Sequence, residues 1–444
     1  MEQRIKGTTG LLALIGSPVG HSGSPAMYNF SFQYHNLDYA YMAFDIKEDQ
    51  VPAALDAMRL FKMRGCNVTM PCKNKVAQCV DELTPAAKII GAVNTIVNED
   101  GKLVGHITDG IGFVRNLKEH GVDVKGKKMA RQTSEKNNPV SVRGKMQEVK
   151  EMEQRIKGTT GLLALIGSPV GHSGSPAMYN FSFQYHNLDY AYMAFDIKED
   201  QVPAALDAMR LFKMRGCNVT MPCKNKVAQC VDELSPAAKI IGAVNTIVNE
   251  DGKLVGHITD GIGFVRNLKE HGVDVKGKKM VVLGAGGAAT ALTVQCALDG
   301  AASIAIFNPD DPFLERAKGT AEKLAKEVPD CKVSVYCLDG QDKLREEIAN
   351  ADILANGTLA GMKPHDDLTL VDKSMFHKDL VVADCVYNPA ETRMVKEAKE
   401  AGVKLAVGGK GMLLWQGAES YKLYTGLEMP TDEYQKFQAE NEGK

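Results

Sequence analysis

Short apolar runs and helical periods alternate along most of the chain. From residue 152 onward LLALIG is followed by SPAMYNFSFQYHNL, AYMAFDI, a helical period over residues 202–214, and CNVTMP. Strand-length runs between helix-length periods predict an α/β domain. Ser175-Pro176 has the form of an N-cap followed by a first-turn proline, and Asn249-Glu250-Asp251-Gly252, between VNTIV and KLVGHI, predicts a hairpin turn. After Lys279 the rhythm changes. MVVLG, SIAIFN, KVSVYCL, DILANG and LVVADCV are separated by helical stretches such as residues 312–328 and 392–402, the pattern of a doubly wound parallel sheet.

The same pattern also occurs earlier, because residues 1–129 recur as residues 152–280 with one difference, Thr84 against Ser235. A near-identical unit of domain size is a duplication, not a solenoid array of short, diverged repeats. Between the copies, residues 130–151 are polar with little apolar periodicity, and are expected to form a flexible linker. The expected domains are a duplicate unit (1–129), the linker, a second unit (152–279) completed by helices from residues 411–444, and a nucleotide domain (280–410).

With 44% hydrophobic and 24% charged residues and a formal net charge of −2, the chain has the balance of a globular protein, with no basic stripe for nucleic acid or anionic membrane. None of the ten cysteines stands in a metal-ligand or CxxC spacing, so no metal site is expected and the thiols read as reduced. The apolar run at 11–15 recurs at 162–166, where no signal peptide could act, and no run reaches 18 apolar residues. A cytoplasmic protein that binds small molecules is the expectation.

Gly284-Ala285-Gly286-Gly287-Ala288-Ala289 places G-x-G-x-x-A between a buried strand and a helix. Gly284 would allow the tight turn and Gly286 the approach of a pyrophosphate to unpaired helix N–H groups. A glycine turn that merely packs strand on helix is the bland alternative. The next strand ends Phe307-Asn308-Pro309-Asp310-Asp311, about 25 residues after the loop, where such folds meet the adenosine ribose. Acidic side chains there suit the free 2′-OH of NAD better than the 2′-phosphate of NADP. Asp310 or Asp311 could equally cap the helix near Pro312. Read bare, Lys224 after a strand and Asp260 at a helix start are ordinary: a solvated lysine and an N-cap.

Taken in order, IGSPVGHSGSP, GCNVTMPCK, GAVNTIV, TDGIGF, VVLGAGGAA, ILANGT, CVYNP and GMLLWQGAE, spread over residues 152–444, resemble the shikimate/quinate dehydrogenase family. LFKMRG, MPCK and FNPDDPF are most similar to its NAD-using quinate/shikimate branch. The resemblance implies Lys224 and Asp260 as the catalytic pair, with Ser173 and Ser175 holding a substrate carboxylate. Thr220, Asn245, Tyr387 and Gln416 would meet ring hydroxyls. It further implies cofactor contacts from Gly284, Ala285, Gly286, Gly287, Ala288, Asn308, Asp310, Asp311, Asn356, Cys385 and Gly409. Trp415 reads as helix core. Oxidising a secondary alcohol needs a base for the hydroxyl proton and the reverse needs an acid, roles one lysine can fill. Two departures from the family pattern line the expected site: Ile258 before Thr259-Asp260, and Gly408-Gly409-Lys410-Gly411-Met412.

The first copy keeps Ser22, Ser24, Thr69, Lys73, Asn94 and Asp109 but has no glycine loop and, with one returning C-terminal segment in the chain, should lack its closing helices. Deleting residues 1–151 is expected to raise solubility without reducing turnover. The leading expectation is an NAD-dependent shikimate or quinate dehydrogenase, able to form a homodimer. The alternatives are a dehydrogenase of another cyclic hydroxy acid and a non-catalytic small-molecule sensor or scaffold.

Overall fold

The computed structural model describes residues 5–127, 156–339 and 341–441; the expected linker lies outside them. In the first copy β1 (Gly10–Gly16), β2 (Tyr39–Asp45), β3 (Gly65–Val68), β4 (Glu82–Leu83), β5 (Thr95–Glu99) and β6 (Lys102–His106) form one sheet ordered β2-β1-β3-β5-β6-β4. The second copy repeats it with β7 (Gly161–Gly167), β8 (Tyr190–Asp196), β9 (Gly216–Val219), β10 (Glu233–Leu234), β11 (Thr246–Glu250) and β12 (Lys253–His257), ordered β8-β7-β9-β11-β12-β10. β7 pairs in parallel with β8 and β9, whereas β11 runs antiparallel to both β9 and β12. The β11–β12 hairpin turns on Asp251 and Gly252, at φ 53° and 99°. Two successive positive φ values are what a two-residue I′ turn requires, and an Asp-Gly pair supplies them at least cost.

The third sheet is wholly parallel: β13 (Lys279–Leu283), β14 (Ser303–Asn308), β15 (Lys332–Cys337), β16 (Ile353–Asn356), β17 (Val381–Asp384) and β18 (Leu405–Val407), ordered β15-β14-β13-β16-β17-β18. Strands β16 and β17 are buried along their whole length and β13 is buried after Lys279, hence their apolar runs. The order reverses between β13 and β16, the place where such sheets open a ligand crevice.

From this sheet the chain returns to the second copy. Helix Lys410–Thr425 lies along helix Asp260–Glu270, and Thr431–Asn441 packs on Ser175–Tyr185. The crossing is close because of Gly263: a Cβ there would stand 2.6 Å from Gln416 N and from Met412 O. Tyr179 donates to Gly417 O at 3.0 Å, Tyr421 to Ser182 O at 3.1 Å, and Arg215 Nε to Tyr424 O at 2.9 Å. Among the described residues no returning segment covers the first copy. Phe113 is 52% exposed where its repeat Phe264 is 2% exposed, and Met27 59% where Met178 is 8%. Among the described residues no helix is long and apolar enough to cross a membrane.

Candidate active site

β9 and β12 are both antiparallel to β11, so they run in the same direction and end on the same side of the sheet. Lys224 begins the helix that follows β9, Asp260 begins the helix that follows β12, and Asn245 immediately precedes β11 at that same side. The topology thus gathers three residues distant in sequence. Lys224 Nζ lies 2.6 Å from Asp260 Oδ2, and Asn245 Nδ2 donates to Asp260 Oδ1 at 3.0 Å. The Asn245 amide is itself held, with Oδ1 accepting from Thr259 N at 2.9 Å and Nδ2 donating to Thr259 Oγ1 at 3.0 Å. With both carboxylate oxygens engaged, the Asp260 carboxylate is held on Asn245 and meets the Lys224 ammonium.

Asp260 is the first residue of its helix, not the cap; that position belongs to Thr259. Ser175 differs likewise from the sequence expectation: Gly174 is the N-cap and Ser175 opens the helix, its N–H donating to Ser173 Oγ at 3.2 Å. Both serines are half-buried at the positive end of helix Ser175–Tyr185. Gln416 reaches this cluster from the returning helix, its Oε1 3.4 Å from Asn245 Nδ2. Thr220 is half-buried just after β9, and Tyr387, 44% exposed, sits in the loop after β17.

Three polar residues that sequence reasoning missed complete the support. Thr259 Oγ1 donates to Gln416 O at 3.0 Å, and Ser420 Oγ lies 2.8 Å from Thr246 Oγ1 and 3.2 Å from Thr259 Oγ1. All three are buried. The one available signal was Ser420 standing one helical turn after Gln416. Trp415 is half-buried with the Arg266 guanidinium 4.8 Å above its ring, so it belongs to the helix–helix seam.

At the glycine loop, Gly284 has φ +95°, which a side chain would strain, and its Cβ would meet Thr358 Cγ2 at 2.6 Å. Gly286 caps helix Gly287–Leu298, and a Cβ on Gly286 or Gly287 would meet nothing within 4 Å. The loop at this helix start is therefore uncrowded on the side its Cβ atoms would occupy, and an open helix N-terminus of this kind fits a dinucleotide pyrophosphate. Ala289 must be small because it packs on Gly357, whose Cβ would lie 2.6 Å from Ala289 Cα. Ala285 is buried and Ala288 half-buried in the loop and first helical turn.

Beyond β14, Asp311 caps helix Pro312–Glu327, its Oδ1 accepting from Phe313 N and from Asn308 Nδ2, both at 2.8 Å. Asp310 stands exposed beside it. The Asn356 side chain is consumed internally: Nδ2 donates to Asp384 Oδ1 at 2.9 Å and Oδ1 accepts from Thr358 N at 3.0 Å and Thr358 Oγ1 at 2.7 Å. This network shapes the loop after β16 and leaves the Asn356 amide without a free group for a ligand, and the backbone carbonyl of Asn356 is taken by Cys385 N at 2.9 Å. Asp384 also accepts from Thr392 Oγ1 at 2.6 Å, and burial pushes its carboxyl above the usual range. Cys385 is half-buried with its thiol pushed up by burial, and Gly409 abuts it so closely that a Cβ would lie 2.2 Å from Cys385 O.

The first copy assembles the same acid–base cluster without its cover. Lys73 Nζ is 2.8 Å from Asp109 Oδ2, Asn94 Nδ2 is 2.8 Å from Asp109 Oδ1, and the ammonium holds the Asp109 carboxyl below its ordinary range. The Asp109 side chain is 59% exposed against 22% for Asp260.

Comparison with known proteins supports the duplication. The model of the shikimate dehydrogenase substrate binding domain matches twice, at residues 14–96 and 165–247, and that of the shikimate 5'-dehydrogenase C-terminal domain matches at 409–433. The shikimate dehydrogenase (NADP(+)) of Listeria monocytogenes is 45% identical over 283 residues, 64% of this chain and 97% of that protein. The quinate/shikimate dehydrogenase of Escherichia coli is 48% identical over 272 residues, 61% of this chain and 94% of that protein. Among solved structures, shikimate 5-dehydrogenase from Listeria monocytogenes in complex with shikimate and NAD superposes with a TM-score of 0.62 at 44% identity, covering 66% of this chain and all of that one. The chain belongs to the shikimate dehydrogenase family and carries that family's substrate-binding domain twice.

Proposed function

We propose that residues 152–441 oxidise the ring alcohol of shikimate, or of quinate, to the ketone and catalyse the reverse reduction, with Lys224 as the proton-transfer residue. The observation that carries this reading is the Lys224–Asp260–Asn245 cluster, enclosed by the returning helix and set on the same chain as the open glycine loop. Lys224 Nζ takes the hydroxyl proton in oxidation and returns it in reduction. Asp260, fixed by Asn245, orients both the amine and the substrate hydroxyl. Ser173 and Ser175 present hydroxyl groups at a helix N-terminus, where a carboxylate is stabilised without a full counter-charge that would slow its release. Gln416 and Thr220 offer hydrogen bonds to the remaining ring hydroxyls. A nicotinamide dinucleotide held by Gly284, Gly286 and the start of helix Gly287–Leu298 supplies the hydride acceptor when bound.

NAD is the better cofactor in this proposal because Asp310, exposed at the end of β14, would repel a 2′-phosphate. Names among the relatives point both ways: the curated Listeria relative is called NADP(+)-dependent, while the related Listeria structure holds NAD. The test follows reduced nicotinamide formation with shikimate and quinate, each with NAD and NADP. No turnover from any pair by folded protein would sink the dehydrogenase reading; a higher kcat/KM with NADP would sink the cofactor preference. Asp310→Arg should raise kcat/KM for NADP by about tenfold or more relative to NAD. An unchanged ratio would remove Asp310 from the ribose site.

A further inference from the structure

The two copies touch through the same residues used twice. Phe44 of the first copy stacks on Phe212 of the second with ring centroids 4.3 Å apart, and Phe61 stacks on Phe195 at 4.4 Å. Phe195 and Phe212 are the repeats of Phe44 and Phe61, so the two stacks are one contact related by a two-fold axis. The backbones obey the same rule. A Cβ on Gly7 would lie 2.5 Å from Gly171 O, and one on Gly158, the repeat of Gly7, would lie 2.6 Å from Gly20 O, the counterpart of Gly171. Helix Val51–Leu60 packs against its own repeat, Val202–Leu211. All four rings are buried, and the apolar residues of both copies merge into a continuous core.

An interface in which residue i meets j and j meets i is isologous, the kind that closes a two-fold dimer. Two identical domains joined by a tether have no geometric obligation to meet this way, because a head-to-tail contact would use two different faces. We propose that this face is a self-association surface whose partner is a second copy of the same substrate domain, and that here the first copy fills it from within the chain. The first copy acts as a built-in partner subunit, and the whole chain runs as a monomer. A molecule with one copy would present Phe195, Phe212 and the outer side of helix Val202–Leu211 to solvent, and pair with another molecule about the same axis. Deleting residues 1–151 therefore produces a dimer instead of simply a more soluble monomer.

The single-copy chain, residues 152–444, is a fair test object, since relatives that align over 283 residues do so across 97% of their own length. Its mass is measured by light scattering over a dilution series beside the full chain. The expected result is a single-chain mass for the full protein and a doubled mass for the shortened one. Phe212→Asp returns the shortened chain to single mass with turnover retained, while Phe212→Leu keeps it doubled. Hydrogen exchange maps the face without any substitution: amides of residues 202–211 lose protection on dilution of the shortened chain but not of the full chain. A shortened chain of single mass at every concentration overturns the proposal. So does a full chain of doubled mass, a doubled mass that persists in folded, active Phe212→Asp, or protection at 202–211 that is indifferent to dilution.

Discussion

Lys224→Ala lowers kcat/KM by about 10²–10⁴-fold, the range for loss of a positioned acid–base group, while Lys73→Ala leaves it unchanged. Both lysines stand in the same local sequence, and both already touch their aspartate, Lys224 to Asp260 at 2.6 Å and Lys73 to Asp109 at 2.8 Å. What separates them is everything further away. Asn245 and Asp260 are covered by Gln416 and the returning helix, and their cluster is followed in the chain by the glycine loop, whereas Asp109 is open to water. In water an exposed ion pair contributes little and an alkoxide would be solvated, not directed. Steady-state kinetics on the two variants and on the double variant decide the matter. Equal losses from Lys73→Ala would mean that the first copy works as a second site, and no loss from Lys224→Ala would remove Lys224 from the chemistry.

Gly263→Ala and Gly112→Ala are the same substitution in the same local sequence, and they should have opposite effects. At Gly263 the new methyl would sit 2.6 Å from two backbone atoms of helix Lys410–Thr425, so the helices must separate. Overpacking of this kind costs about 1–3 kcal/mol. Because Gln416 N is one of those atoms, the shift also moves a residue of the proposed site, and turnover should fall about tenfold or more. At Gly112 a methyl would meet open space on an exposed helix. There alanine restricts the unfolded chain and adds helix propensity, a gain of about 0.5–1 kcal/mol. Urea midpoints followed by far-ultraviolet ellipticity should move down for Gly263→Ala and up, or not at all, for Gly112→Ala. Midpoints that move together would show that the returning helix does not pack as described.

The features legible in the sequence were those carried by local pattern. The strand–glycine–helix unit around Gly284, the Asp251-Gly252 turn and the five longer strands of the parallel sheet follow from periodicity and backbone preference. Strand β18, three residues long, is too short to show a period. The Thr259–Ser420 and Asn245–Gln416 contacts join positions more than a hundred residues apart. They depend on how closely two helices cross, which Gly263 decides, and no local pattern reports that. Ser175 and Asp260 were displaced by one position at their helix starts, because a cap is defined by backbone angles that residue type only biases. The copy-to-copy stacks were hidden for another reason: Phe44 and Phe61 look like ordinary core residues of one domain, and the sequence does not say which apolar face turns outward.

The uncovered first copy also raises a question of how the chain folds. Helix Lys410–Thr425 emerges after both copies and meets two docking faces built from identical residues, so contact energy in the helix groove cannot tell them apart. From Asp260 the intervening chain is about 150 residues and from Asp109 about 300, and for a flexible chain a doubled loop costs only about 0.6 kcal/mol more to close. That is too small a difference to make one arrangement dominate. The discrimination comes from the parallel sheet. Its first strand begins nine residues after helix Asp260–Glu270 ends, at Lys279, and its last strand, β18, ends three residues before the returning helix begins. Once that sheet has formed it is a short rigid bracket instead of a long floppy loop, and it delivers the helix to the second copy alone.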